Sequence, residues 1–170
     1  MFNHFLRTTL LLLVTLLFSI GLINPVFAAS NSAPNNTQAA PSHHIKIYYL
    51  HNTFRCFSCN HIGDLTRTAV LGGEVENPKT GEKNTIAPIF QDLIAQGKMS
   101  FTAVNVDDSE NRHFLQDFHT RAKFPVIAEI KDGKVVRYKV LNEVWNLLHG
   151  PQDKFISYIQ KNVKDFSKDL

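Results

Sequence analysis

Two cysteines in 170 residues, Cys56 and Cys59, are too few for a disulfide-stapled scaffold. Closing a four-residue loop would add only about 2 kcal/mol in the chain-entropy model, less than half of what a loop of about a hundred residues adds. The sequence has no glycine loop able to cradle a phosphate, and therefore no nucleotide or flavin motif. It has no internal repeat. Basic side chains number 18 against 15 acidic, a net charge of +3, and they are scattered rather than clustered, which argues against a nucleic-acid partner. Asn60, not His, follows Cys59, so c-type haem attachment is excluded. The apolar run Thr8 to Ile23 has 16 residues. A spanning helix needs about 18–20.

That run follows a short segment whose one charged residue is Arg7, and Asn24-Pro25 breaks it. Val26-Phe27-Ala28 then offers short side chains at the positions a signal peptidase reads. Residues 1–28 are thus expected to be a secretory signal cleaved after Ala28, with an uncleaved membrane anchor as the alternative. No cysteine stands at the cleavage site to accept a lipid. Removing Arg7 lowers the net charge from +3 to +2, because the signal contains no acid. Residues 29–42 are rich in Asn, Ala, Ser, Pro and Gln without an apolar pattern, as in a disordered linker. Residues 43–170 have the size of one domain that can bury a core unaided. Export to an oxidising compartment, with bacterial periplasm as the best fit, favours a cysteine pair that cycles through a disulfide.

The chemistry concentrates in Tyr48-Tyr49-Leu50-His51-Asn52-Thr53-Phe54-Arg55-Cys56-Phe57-Ser58-Cys59, an apolar strand running into a C-x-x-C at the expected start of a helix. Free N–H groups and partial positive charge at a helix N-terminus favour a thiolate, and Arg55 adds a full charge beside Cys56. Cysteines three apart in a first helical turn can close a disulfide without moving the backbone, with the first sulfur more exposed. Cys56 is the candidate nucleophile and Cys59 the candidate resolving thiol. Zinc is the alternative, with His51 and His61 nearby in sequence but a full ligand set still to be found. Inert buried thiols fit poorly with the polar residues Asn52, Thr53, Arg55, Ser58 and Asn60. His51 is either a proton acceptor for the second thiol or a strand cap bonded to backbone.

The pattern predicts a strand over Ile45 to Leu50, a helix through Leu71 stopped by Gly72-Gly73, and a polar loop from Glu74 to Thr85. A helix from about Pro88 to Gly97 follows, then a strand around Phe101 to Val106 and a helix from Glu110 to Phe118. Val126 to Ile130 and Lys134 to Val140 read as a hairpin turning at Asp132-Gly133. The chain closes with Asn142 to Leu148, a break at Gly150-Pro151 and a helix through Val163. Glu129 is expected on an exposed strand face, and Trp145 and the phenylalanines in the core. Helices between strands call for parallel pairing and the hairpin for antiparallel pairing, giving an α/β fold with a central mixed sheet flanked by helices.

A C-x-x-C after the first core strand, a proline opening the strand of a later hairpin and a C-terminal helix resemble the thioredoxin-like fold, with the C-x-x-C at the N-terminus of the first core helix. That resemblance implies that Pro125 is a cis-proline packed beside the cysteines, where it helps hold partner chains. Two positions depart from ordinary thioredoxin: Arg55 replaces Trp, and Leu50 stands in place of the buried acid. The segment from Gly72 to Gly97 is longer than usual and is expected to form a flap or platform. Tyr48-Tyr49-Leu50-His51, Thr53 to Cys59, Asn105-Val106-Asp107, Asn111-Arg112-His113-Phe114, Asp132-Gly133-Lys134 and Val144-Trp145 more closely resemble the ArsF family, labelled a nitrophenyl-compound nitroreductase subunit.

Nitro reduction needs a flavin or metal. With no cofactor motif in the chain, this resemblance implies electron transfer to or from such an enzyme. The function expected is therefore that of an exported thiol–disulfide oxidoreductase without a cofactor. Its partners would be protein thiols or disulfides, with a partner reductase or a membrane electron carrier as further candidates. The alternatives are a copper- or zinc-binding protein using the two cysteines, and a non-catalytic interaction module.

Overall fold

The computed structural model describes residues 42–170, so the expected signal 1–28 and nearly all of the linker 29–42 lie outside it. The elements in order are β1 (His43–His51), α1 (Phe57–Leu71), β2 (Gly73–Glu76), β3 (Lys83–Ile86), α2 (Gln91–Ala95), β4 (Met99–Asn105), a 3-10 turn (Ser109–Asn111), α3 (His113–Asp117), β5 (Phe124–Lys131), β6 (Lys134–Val140), α4 (Val144–Leu147) and α5 (Gln152–Phe166). Four strands form one sheet in the order β4-β1-β5-β6. β1 runs parallel to β4 and antiparallel to β5, and β5 runs antiparallel to β6. The mixed sheet expected from the sequence is present.

Alternation along β1 builds two cores. Ile45, Ile47 and Tyr49 meet Ile62, Leu65, Ala69 and Val70 of α1 and Phe155, Ile159 and Val163 of α5. Tyr48 and Leu50 point the other way, into a smaller cluster with Val104, Val106, Phe118, Val126 and Ala128. β1 is therefore buried on both faces, the position from which its C-terminal end can hold a loop rigidly. Among the described residues no helix is long and apolar enough to cross a membrane.

Glu74 to Thr85 is not simply a loop. β2 and β3 form a separate antiparallel hairpin in which only Val75 is buried and Ile86 packs on the core, too few apolar residues to show a strand period. The turn chemistry was legible: the Asn77 carbonyl accepts from the amides of Thr80 (3.3 Å) and Gly81 (2.7 Å), and Gly81 has φ 72°. α2 is shorter than the expected helix, beginning at Gln91, and Gly97 follows it at φ 71°. The helix expected over Glu110 to Phe118 is divided into the 3-10 turn and α3.

Glu129 also departs from expectation, being only 4% exposed. His43 Nε2 (2.9 Å), Lys131 Nζ (2.9 Å) and Arg137 Nε (2.8 Å) all contact its carboxylate. Arg137 lies opposite Glu129 in the β5–β6 register and stacks over the Phe166 ring, so the cations fold over the acid and close it off. The Lys131 ammonium foremost, with His43 and Arg137, holds this carboxyl well below its usual range, at about 2, against the opposing cost of burial.

Candidate functional site

The loop Asn52–Arg55 is fixed before it reaches the cysteines. The Asp107 carboxylate accepts from Asn52 Nδ2 and from the Thr53 amide, each at 2.8 Å. Asn105 Nδ2 donates to Thr53 Oγ1 at 2.9 Å, and the Val106 amide donates to the His51 carbonyl at 2.8 Å. The Asp107 carboxyl is held below its usual range, first by the Asn52 side chain and then by the Thr53 amide. The stretch Asn105-Val106-Asp107 thus has a local job: it clamps the approach to the C-x-x-C.

Cys56 is the N-cap of α1, and its extended backbone (φ −70°, ψ 165°) turns its side chain over the first turn. Its Sγ accepts from the Cys59 amide at 3.2 Å, and its carbonyl accepts from the Asn60 amide at 3.0 Å. The two cysteines form a disulfide with Cα atoms 5.0 Å apart. Their environments differ sharply. Cys56 is exposed, whereas Cys59 has no solvent-accessible surface.

Tyr49 holds the second cysteine in place. Its hydroxyl donates to the Cys59 carbonyl, and its ring lies so close to α1 that a Cβ at Gly63 would sit 2.7 Å from a ring carbon. Burial is the main reason that the phenol is pushed up to about 12; Arg55 opposes the shift and Asp64 adds to it. At neutral pH this hydroxyl is therefore a fixed donor. Sequence reasoning placed neither Tyr49 nor Gly63 in the site, although a glycine inside an otherwise good helix signals a close approach.

His51 lies 5.9 Å from the Tyr49 ring, and its Nδ1 is 3.0 Å from the Asn52 carbonyl. A carbonyl only accepts, so Nδ1 carries the proton and, in the neutral ring, Nε2 keeps the lone pair. This is the strand-capping arrangement, bonded to backbone rather than to a sulfur. Arg55 is exposed, and its charge is felt at Tyr49.

The Phe124–Pro125 peptide is trans, not the cis form that the resemblance implies. The change of direction ahead of β5 occurs at Lys123, which has φ 78° and donates its amide to the Leu50 carbonyl at 2.6 Å. Pro125 is buried and stands opposite Tyr49 in the β1–β5 register, so it reaches the site through that tyrosine.

Two clefts take in parts of this region, one at Asn52 and one at the residues between the cysteines. One of about 720 Å³ is lined by Asn52, Arg121, Ala122, Lys123, Phe124, Asn142 and Trp145. The other, of about 120 Å³, brings the middle C-x-x-C residues Phe57 and Ser58 against His61, Pro78 and Lys79 of the β2–β3 turn, and Leu148 and His149. The hairpin is the platform expected beside the site. Gln152 joins it to the start of α5 by donating to the Glu76 carbonyl at 3.2 Å and accepting from Asn84 Nδ2 at 3.1 Å. Burial lowers the His61 pKa, with Asp64 opposing, and the His61 ring stacks on Phe57.

The phenylalanines here are not core residues: Phe54 is 85% exposed and Phe57 71%. Trp145 is half-buried on the wall of the larger cleft and donates its Nε1–H to the Lys123 carbonyl at 3.2 Å. Among the described residues no group of three or more His, Cys, Asp or Glu could hold a metal ion.

Fold and site together define a mixed α/β domain with a C-x-x-C disulfide at the start of a sheet-packed helix. No protein-family model, curated protein or solved structure matches the chain.

Proposed function

We propose that this chain is an exported, thioredoxin-like thiol–disulfide oxidoreductase that exchanges electrons with partner proteins through Cys56 and Cys59. The observation that carries the reading is the asymmetry of the pair: one sulfur is exposed at a helix N-cap and the other is sealed from solvent. An approaching thiolate can reach only Cys56, while a structural staple has no need of an accessible sulfur.

The exchange balances in the disulfide form without any further reagent. A partner thiolate attacks Cys56 Sγ, the Cys56–Cys59 bond breaks, and its electron pair leaves on Cys59, which takes up a proton. The partner's second thiolate then attacks its own sulfur in the mixed disulfide and releases Cys56. The partner dithiol is oxidised to a disulfide, and the cysteine pair gains two electrons and, with Cys56 left as the thiolate, one proton.

The Cys59 amide and the α1 N-terminus stabilise a Cys56 thiolate, and Arg55 adds charge; in the reverse direction, where Cys59 must lose its proton, His51 Nε2 is the candidate acceptor in place of the missing acid. In this reading the resemblance of the sequence to the ArsF family makes a reductase a candidate partner, and the expected signal would send the chain to the periplasm.

Capture of covalent partners tests the proposal. Cys59→Ser should accumulate mixed disulfides on Cys56 in exported extracts, released by dithiothreitol, whereas Cys56→Ser should capture few or none. Faster alkylation of Cys59 than of Cys56 in the reduced protein would reverse the roles, and absence of adducts with either variant would remove the redox reading.

A further inference from the structure

The exposed Cys56 has Phe54 two residues before it and Phe57 immediately after it. Both rings are largely exposed, unlike the buried aromatic residues of the sheet. Large apolar side chains left in water around a reactive atom mark a contact surface rather than a packing defect. Beyond the two rings, charge of one sign lines both clefts. Arg121 and Lys123 line the larger one and Lys79 the smaller, and neither contains an acid in its wall. Arg55, beside Cys56 in sequence, is exposed as well. Asp107, held by Asn52 and Thr53, and the exposed Asp64 remain anions, against the four cations Arg55, Lys79, Arg121 and Lys123.

We infer that the physiological partner presents its reactive cysteine in an exposed protein segment with an apolar residue beside the cysteine and acidic residues on either side. The apolar residue covers Phe54 and Phe57, and the carboxylates face the cations of the two clefts. This inference rests on the redox reading and adds the substrate class. Small thiols lack the side chains to use this surface, and a basic segment would be repelled by it.

The test uses three synthetic dithiol peptides of equal length and cysteine spacing, with the oxidised protein as oxidant. One carries Phe before its first cysteine and Glu on both flanks; the second replaces Glu by Lys; the third keeps Glu and replaces Phe by Ser. The first should react about tenfold faster than either of the others at low salt, the scale expected for one well-buried aromatic contact or a favourable charge match. Salt near 0.5 M should shrink the Glu-over-Lys ratio while sparing the Phe-over-Ser ratio. Phe54→Ser with Phe57→Ser should bring the Phe-over-Ser ratio to about one, and Lys79→Glu with Lys123→Glu should reverse the charge preference.

Equal rates for the three peptides, with dithiothreitol still oxidised by the unaltered protein, would overturn the inference and leave the redox reading standing. Failure to oxidise dithiothreitol would remove the redox reading itself. Sedimentation with phosphatidylglycerol vesicles, lost in the Phe54→Ser, Phe57→Ser variant and accompanied by no peptide preference, would overturn the inference by assigning this face to a membrane surface.

Discussion

β1 ends in opposite ways. At its start, His43 joins Lys131 and Arg137 around Glu129, an acid surrounded by cations and cut off from water. At its finish, His51 gives way to a clamped loop and then to Cys56, a sulfur kept in solvent at the head of a 15-residue helix. Both ends favour an anion over its neutral form. The first uses direct ion pairs that lock the strands together, while the second uses backbone N–H groups and a neighbouring charge that leave the sulfur open to attack. A single strand thus separates a corner that stabilises from a corner that reacts, and substitutions at one should leave the other unaffected.

The largest expected effect lies at the stabilising end. Glu129→Gln should lower unfolding free energy by about 2 kcal/mol, the scale of a lost charged hydrogen bond with exposed partners, and should leave the dithiol's reduction potential unchanged. Because the folded pKa is depressed from 4.5 to about 2, the carboxylate's contribution is present above pH 4.5 and is lost as pH falls toward 2. Urea unfolding across that window should show a steep acid slope in the parent and a shallower one in the variant. A shifted potential in Glu129→Gln would show that the two ends communicate.

Gly63→Ala should have a smaller effect on stability but a specific effect on the reactive end. Its Cβ would meet the Tyr49 ring at 2.7 Å, costing about 1–3 kcal/mol of overpacking, partly offset by the 0.5–1 kcal/mol gained on replacing a helical glycine. Displacing the ring loosens its hold on the Cys59 carbonyl, so alkylation of reduced Cys59 should accelerate relative to Cys56. An unchanged alkylation ratio would remove Tyr49 from control of the second sulfur.

The smallest effect is expected for Arg55→Ala. The side chain is exposed, so its interaction is worth about 0.5–1 kcal/mol, equivalent to roughly 10–20 mV for this two-electron couple. The Cys56 thiol pKa should rise and the potential should fall by that amount, with stability unaltered. A thiolate absorbance titration identical to the parent's would show that α1 and the Cys59 amide suffice.

The sheet was legible because its signals are local. Alternation in Ile45, Ile47 and Tyr49, the Asp132-Gly133 turn and the Gly72 stop each act within a few residues. The cysteine pair was legible for the same reason, since spacing alone brings two sulfurs together in a helical turn. The acid-and-cation corner was not: Lys131 is two residues from Glu129 on the same strand, but His43 of β1 and Arg137 of β6 reach the acid only once the sheet forms. Asp107 holding Thr53, and Tyr49 reaching Cys59, are likewise products of tertiary structure. Exposure of Phe54 and Phe57 ran against composition, which assigns phenylalanine to cores. The trans bond before Pro125 could not be read from residue identity, because Lys123 makes the turn with a backbone angle that sequence does not favour.

Trp145 is the only tryptophan in the chain, and it sits edge-on to Phe124 in the wall of the larger cleft with its indole N–H on the Lys123 carbonyl. The protein therefore carries its own optical gauge where a partner segment would rest. A chain settling into that cleft would exclude water from the indole face, move its emission toward the blue and restrict its rotation. Arrival and departure of a partner can thus be followed in real time on unlabelled protein, by a chromophore remote in sequence from both sulfurs.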